Sequence, residues 1–194
     1  RIPVRINRDN RYFTDRYQYI PLFGYTKMFE RMINHPRISI VLNTTFIDVA
    51  DEVKFNKLIY TGPIDEFFGY KYGHLSYRSL QFEFETIDAE FVQPVGTVNY
   101  PNDYEFTRVT EFKHLTGQKH HKTTIMREYP TGEGEPYYPV LNEESQAIYK
   151  KYADEAKRLN SVWFVGRLAN YKYYNIDQVV EAALATVKEI IEAE

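Results

Sequence analysis

The spacing of hydrophobic and polar positions changes several times along the chain, and each change marks an element. Residues 162–165 are a short apolar run bounded by a glycine, too short for a helix, and so predict a buried strand. A turn rich in Arg and Tyr follows. From there Val179, Val180, Ala183, Leu184, Val187, Ile190 and Ile191 recur at three- and four-residue spacing, which predicts the inner face of an amphipathic helix. Asn175 is its expected N-cap, with Gln178 three places on as the reciprocal partner of a capping box. A strand, a polar turn and a helix whose free N–H groups face that turn can form an anion or cofactor site. The same pattern also serves as plain scaffold in any αβ protein.

Upstream, 25–33 predicts a short helix with Thr26 as cap and Met28, Phe29, Met32 and Ile33 on its buried side, ending at Asn34-His35-Pro36. Residues 38–42 and 57–60 predict strands, with 45–49 a third candidate, and 61–65 a turn leading into a short helical or irregular segment over 66–72. Alternation over 80–86 and 107–114, with 122–129 and 95–100 as further runs, predicts an antiparallel sheet with one buried face. The alternation leaves the facing of Arg108 open. Residues 131–136 predict a loop and 137–139 an extended segment before proline. Asn142 caps a helix to about Leu159, with Ile148, Tyr152, Ala156 and Leu159 inward.

Composition narrows the function. A hydrophobic share of 43% in 194 residues is enough for a core. The 24 basic and 27 acidic residues are interspersed, which argues against a nucleic-acid partner. Without cysteine there is neither a disulfide framework nor a thiolate metal site, and no apolar run approaches the length that spans a bilayer. A cytoplasmic setting with no membrane partner is expected, and a homodimer is one expected assembly. The chain starts at Arg1 inside a dense motif, so a C-terminal piece of a longer protein is expected.

No nucleophile elbow, zinc-binding helix motif or phosphate-binding loop is present. His120-His121 reads as a surface pair whose side chains point apart, and His114 as structural, so no metal site is expected. What stands out is arginine beside turns (Arg1, Arg5, Arg78, Arg108, Arg167) together with Tyr12, Tyr138 and Tyr173, from a pool of 18 tyrosines. Guanidinium brings charge and a forked donor, and phenol a neutral donor, a combination that fits a diphosphate.

Arg1-Ile-Pro-Val-Arg, Asn10-Arg-Tyr-Phe, Tyr60-Thr-Gly-Pro-Ile-Asp, Tyr77-Arg-Ser-Leu, Thr107-Arg-Val-Thr-Glu-Phe-Lys-His, Pro136-Tyr-Tyr-Pro and Gly166-Arg-Leu-Ala-Asn-Tyr-Lys-Tyr, in this order, resemble the C-terminal half of a bacterial UDP-galactopyranose mutase. The resemblance implies a mixed α/β fold: a remnant of an FAD-binding αβ domain plus an antiparallel β-sheet substrate domain. The implied division is 1–37 (leading loop and helical-domain remnant), 38–74 (part of the FAD domain), 75–141 (sheet domain) and 142–194 (helix–strand–helix completing the FAD domain). It implies interconversion of UDP-galactopyranose and UDP-galactofuranose, with reduced FAD attacking the anomeric carbon and UDP leaving. Arg1 and Arg108 match the arginines that clasp the diphosphate. Tyr12, Arg78, Tyr138, Tyr173 and Asn175 are placed with the substrate, and Arg167, Arg108 and Tyr173 with the cofactor. Asn175 occupies a position commonly Asp in the family, which leaves it the capping role. The glycine-rich turn for the FAD pyrophosphate is missing, so half of the cofactor site is expected to be absent and the isolated chain inactive. Two other readings stay open: a non-catalytic nucleotide-sugar or carbohydrate-binding module, and another FAD oxidoreductase of the same topology.

Overall fold

A computed structural model describes residues 6–8, 11 and 13–192. The expectations for Arg1, Arg5 and Tyr12 fall outside the described residues. Helix α1, Gly24–Ile33, begins one turn after Pro21 with no side-chain cap, so Thr26 does not cap it. None of its residues is buried, and Phe29 and Met32 are exposed, against the expected inward face. The run 38–42 forms no strand, because no described strand lies beside it to complete a ladder. Residues 45–49, strand-like by propensity, form α2, Phe46–Val49. Thr45 and Asp48 close a reciprocal capping box there, and that local hydrogen bonding overrides β-propensity.

Strand β1, Leu58–Tyr60, leads through Gly62-Pro63 into the short helix α3, Ile64–Phe67. The long strand β2, Tyr77–Ile87, then opens the sheet, followed by β3, Thr97–Asn99, and β4, Arg108–Glu111. The alternating run 107–114 ends as strand at Glu111 and turns into α4, Phe112–Thr116, closed by Gly117 in the left-handed region. Strand β5, Thr123–Thr131, and β6, Tyr138–Pro139, complete an antiparallel sheet of order β3-β4-β5-β2-β6. Helix α5, Glu143–Ala156, is capped by Asn142 as expected, its Oδ1 accepting from the Ser145 N–H at 2.8 Å. It stops short of Leu159, which is left partly exposed. Strand β7, Val162–Phe164, pairs in parallel with β1, and α6, Ile176–Glu192, ends the described chain.

The core sits where these parts meet. Ile64, Leu75, Tyr152 and Tyr171 are buried, with Phe68, Ile148 and Phe164 packed around them. Tyr152 reaches this core from α5, donates to the Gly73 carbonyl at 2.8 Å and accepts from the Tyr72 N–H at 2.9 Å. Its phenol thereby ties α5 to the chain entering β2. Ile148, Tyr152 and Ala156 of α5 turn inward as its periodicity predicts. The predicted inner face of α6 is covered only in part: Val179, Ala183 and Ile190 are half-buried, while Val180, Leu184, Val187 and Ile191 are exposed.

Register settles the facing of Arg108. Arg108 is opposite Glu128, Glu128 opposite Phe82, and Arg78 opposite Tyr138. Opposed residues share a side, so Arg108, Glu128, Phe82, Leu80, Arg78 and Tyr138 lie on one face. The other face carries Val109, the Arg127–Glu85 ion pair at 2.7 Å and the Tyr129 hydroxyl donating to Glu83 at 2.8 Å. His120 and His121 are not in a strand, and their rings stack 4.3 Å apart instead of diverging.

Candidate functional site

The parallel pair β1–β7 ends in two glycine turns, Thr61-Gly62 and Val165-Gly166, held together by the Val165 N–H donating to the Tyr60 carbonyl at 3.1 Å. In open αβ sheets the region beyond the carboxyl ends of parallel strands is where ligands settle. Gly166 has φ 112°, which a residue with a Cβ rarely adopts, and an added Cβ would meet nothing nearer than Thr61 at 4.0 Å. The backbone is therefore bare at that point.

The turn after it is fixed by its own side chains. Asn170 accepts from the Gly166 N–H at 3.1 Å and donates to the Phe164 carbonyl at 2.9 Å, which closes the turn on itself. Tyr171 follows at φ 46°, a left-handed position held by burial and by its hydroxyl donating to the carbonyls of Ser76 at 2.6 Å and Val140 at 2.9 Å. Burial pushes the Tyr171 phenol above its ordinary pKa, so it stays a donor. Tyr171 thus anchors the turn to both ends of the sheet domain.

Arg167 projects from this anchored turn. Its guanidinium donates from Nη1 to the Tyr137 carbonyl at 3.2 Å, and from Nε at 3.1 Å and from Nη2 to the Tyr174 carbonyl. It thereby joins the segment before β6 to the segment before α6. The same group lies 5.0 Å from the ring of Tyr138 and 5.5 Å from that of Tyr173, and these two rings stack at 5.2 Å with 16° between planes. A cation over aromatic faces is held by their quadrupoles. Arg167, Tyr138 and Tyr173, far apart in sequence, form one cluster. Arg78 sits next to it in register with Tyr138, and its carbonyl accepts from the Tyr137 N–H at 3.1 Å.

Arg108 shares this sheet face but not the cluster. Three strand steps across and four residues along separate it from Tyr138, roughly 20 Å at ordinary sheet spacings. Its Nε donates to Asn99 Oδ1 at 3.0 Å, and Nη1 lies 3.4 Å from Glu128 Oε2. The guanidinium is thus fixed from both flanking strands. Asn175 stands exposed at the start of α6. Its N–H donates to Gln178 Oε1 at 2.9 Å, one half of the predicted capping box, and its carbonyl accepts the first helical bond from Val179 at 3.0 Å.

Asn170, Tyr171, Asn99 and Glu128 escaped the sequence reading. Their signals are a left-handed tyrosine and cross-strand register, and neither has a one-dimensional pattern. A further group lies at the far end of β4. Glu111 is fully buried, and it accepts from Thr123 Oγ1 at 2.7 Å and from the N–H groups of Gln93 at 3.0 Å and Val92 at 3.1 Å. Burial works to raise its pKa, but these donors outweigh it and hold the carboxyl below the usual range. His114 Nε2 sits 2.9 Å from the Gln93 carbonyl and its ring lies against Phe91, in keeping with a structural place.

A separate cavity of about 330 Å³ is lined by Asp65, Glu66, Tyr70, His74, Tyr77 and Ser79, among others. Ser79 and Tyr77 point to the sheet face opposite Arg78, and the two carboxylates would repel a diphosphate. None of the sequence-predicted residues lines it.

Comparison with known proteins matches the sequence of this chain to a family. The chain fits the family described as UDP-galactopyranose mutase over residues 1–173. It is similar to a probable UDP-galactopyranose mutase of Klebsiella pneumoniae, 36% identical over 98% of this chain and 50% of the relative. A dTDP-fucopyranose mutase of Escherichia coli is 34% identical over 95% of this chain and 52% of its own length. A UDP-galactopyranose mutase of Mycoplasma pneumoniae is 32% identical over 99% and 53%. The chain spans about half the length of these curated relatives. Matched over residues 1–173 and 32–36% identical to these relatives, the chain belongs to the UDP-galactopyranose mutase family.

Proposed function

We propose that this chain serves as the C-terminal part of a flavin-dependent mutase that interconverts UDP-galactopyranose and UDP-galactofuranose. The observation that carries the reading is Arg167 clasped by Tyr138 and Tyr173 beyond the carboxyl ends of β1 and β7, on the side where Arg78 and Arg108 also stand. In this reading 38–74 and 142–194 belong to the flavin domain, 75–141 form the substrate sheet, and 1–37 lead into them.

The residues fit one side of a flavin site. A bare backbone at Gly166 admits a flat ring, and Arg167 and Tyr173 offer donors suited to a reduced, electron-rich cofactor, while Arg108 stands on the same sheet face roughly 20 Å from Tyr138. When bound, reduced FAD supplies the nucleophile for the sugar's anomeric carbon. The chain's own task is to hold the diphosphate as charge develops on it. Arg108, with Arg1, provides charge-assisted donors, and Arg78, Tyr12 and Tyr138 add positioning donors. Arg108 is suited to this because Asn99 and Glu128 hold its fork before substrate arrives. Asn175 sets the start of α6 beside the cluster.

A second reading concerns the substrate. The Escherichia coli relative is named for a dTDP-linked fucose, so the diphosphate is common to the relatives while base and sugar differ. Turnover of the assembled protein with dithionite-reduced FAD, offered UDP-galactofuranose and dTDP-fucopyranose in parallel, separates the two. Arg108→Ala is expected to lower turnover by about 10²–10³ while leaving the fold intact, the loss typical of one transition-state donor. Near-normal turnover sinks the assignment. The isolated chain is expected to release FAD on gel filtration, and stoichiometric retention of yellow flavin overturns the half-site reading.

A further inference from the structure

The cavity lined by Asp65 and Tyr77 holds two polar atoms whose bonding is incomplete. Asp65, on α3, is 2% exposed, and its Oδ2 accepts from the Leu75 N–H at 2.8 Å. Its Oδ1 has no hydrogen-bond partner among the described residues, and neither has the Tyr77 hydroxyl, which is also shielded from water. Burial first, and then the charge of Asp65, push the Tyr77 phenol above its ordinary pKa, so it stays a hydroxyl. A buried carboxylate oxygen without a donor is costly, and such an atom in a native fold calls for a group that completes it.

The walls suit one kind of guest. Glu66 adds a second carboxylate, Ser79 a hydroxyl, and among the described residues no Lys or Arg lines the space to neutralise them. Burial raises the Tyr70 and Tyr60 phenols, and Glu66 and Asp65 raise them further, so the negative field spreads over this wall. Tyr70 stands at a left-handed φ of 57°, its N–H donating to the Asp65 carbonyl at 2.8 Å, and its ring stacks on His74 with 4.1 Å between centres. That turn sets an aromatic surface near two carboxylates, and a cation gains from both. Opposite, Gly132 and Gly134 leave the wall bare, and an added Cβ at Gly134 would meet Ser79 at 3.8 Å. The room, about 330 Å³, exceeds what one water needs and falls among small-molecule sites of about 300–1,000 Å³. A metal ion is disfavoured, because among the described residues no three His, Asp or Glu side chains gather as ligands.

We propose that this cavity binds a small organic cation carrying N–H donors, an alkylammonium or a guanidinium, with Asp65 and Glu66 accepting from it and the Tyr70–His74 stack lying against it. Asp65 sets the specificity, because its unpartnered oxygen requires a donor and not only a positive charge. The Tyr77 hydroxyl accepts a further N–H. This site is distinct from the diphosphate residues: Tyr77 and Ser79 point to the opposite sheet face from Arg78, and two carboxylates exclude the anion that Arg78 and Arg108 would hold. The proposal therefore does not rest on the mutase reading.

The test titrates the full chain with methylguanidinium, ethylammonium and tetramethylammonium chloride and follows backbone amide shifts by NMR. Saturable shifts confined to 65–79 and 132–136 are expected with methylguanidinium or ethylammonium, and the tighter of the two identifies the ligand class. Tetramethylammonium carries the charge without an N–H and is expected to bind about tenfold more weakly or worse. Asp65→Asn is expected to weaken binding by about tenfold or more, and Glu66→Gln by roughly threefold, with unchanged circular dichroism. If Asp65→Asn does not fold, Glu66→Gln and the tetramethylammonium comparison still decide the matter. Absence of saturable shifts, shifts that map elsewhere, equal affinity for tetramethylammonium, or affinity indifferent to the carboxylate variants overturns the proposal. Tighter binding of magnesium or of inorganic diphosphate at the same amides also overturns it, since the occupant is then a metal ion or an anion.

Discussion

Replacing Glu111 by Gln tests whether a buried carboxylate organises the edge of the sheet that presents Arg108. The side chain keeps its volume and loses its charge. In the native chain it accepts three hydrogen bonds, from Thr123 Oγ1 and the Gln93 and Val92 N–H groups, and the Glu111 N–H donates to the Gly96 carbonyl at 2.8 Å. Those contacts pin the segment that leads into β3, whose Asn99 holds Arg108. Hydrogen bonds to a charged group contribute about 1.5–3 kcal/mol against about 1 kcal/mol for neutral ones, and the Gln amide also turns an N–H toward a donor. A loss of about 2–4 kcal/mol follows, or a fall in melting temperature of roughly 5–15 °C for a chain of this size. Because the folded-state pKa of Glu111 lies below its ordinary value, its contribution is full above that ordinary value, 4.5, and disappears as pH falls through the folded one. The gap between the native chain and the variant should therefore be wide at neutral pH and close in acid. Urea unfolding across pH, with hydrogen exchange at the β3 and β4 amides, reads both quantities. A variant within about 0.5 kcal/mol of native at neutral pH, or a gap that does not narrow in acid, would refute the reasoning.

Three further outcomes are expected. Tyr152→Phe removes the donor to Gly73 and the acceptor for Tyr72 inside the core, and should destabilise by about 2–4 kcal/mol in urea unfolding; a change below about 0.5 kcal/mol counts against it. Gly166→Ala meets no steric obstacle, so its cost is conformational, about 1–3 kcal/mol by thermal melting; a neutral result means the turn does not need φ 112°. Arg167→Lys cannot bridge the Tyr137 and Tyr174 carbonyls with one fork and loses the flat face against Tyr138. In the assembled protein UDP affinity should fall roughly tenfold, with faster amide exchange at 172–175; unchanged exchange would show that the clasp is not what orders the turn.

Much of this chain is legible one residue at a time. The Asn142 cap, the alternation of the long antiparallel strands, the helix after Asn175 and the arginine and tyrosine content of the turns follow from local chemistry, and the structure places them where that chemistry predicts. Local rules also misread 45–49, where a capping box outcompetes β-propensity, and extended the strand past Glu111 into α4. Only the tertiary structure decided that Arg108 faces the side of Arg78 and Tyr138, because facing depends on cross-strand register rather than on spacing along one strand. It alone brought Arg167 against the stacked rings of Tyr138 and Tyr173, since that contact requires Tyr171 to anchor a turn to the sheet from 95 residues away. Amphipathic period established that the faces of α1 and α6 are apolar; whether anything covers them is a question of contact across space, and among the described residues none buries either face fully.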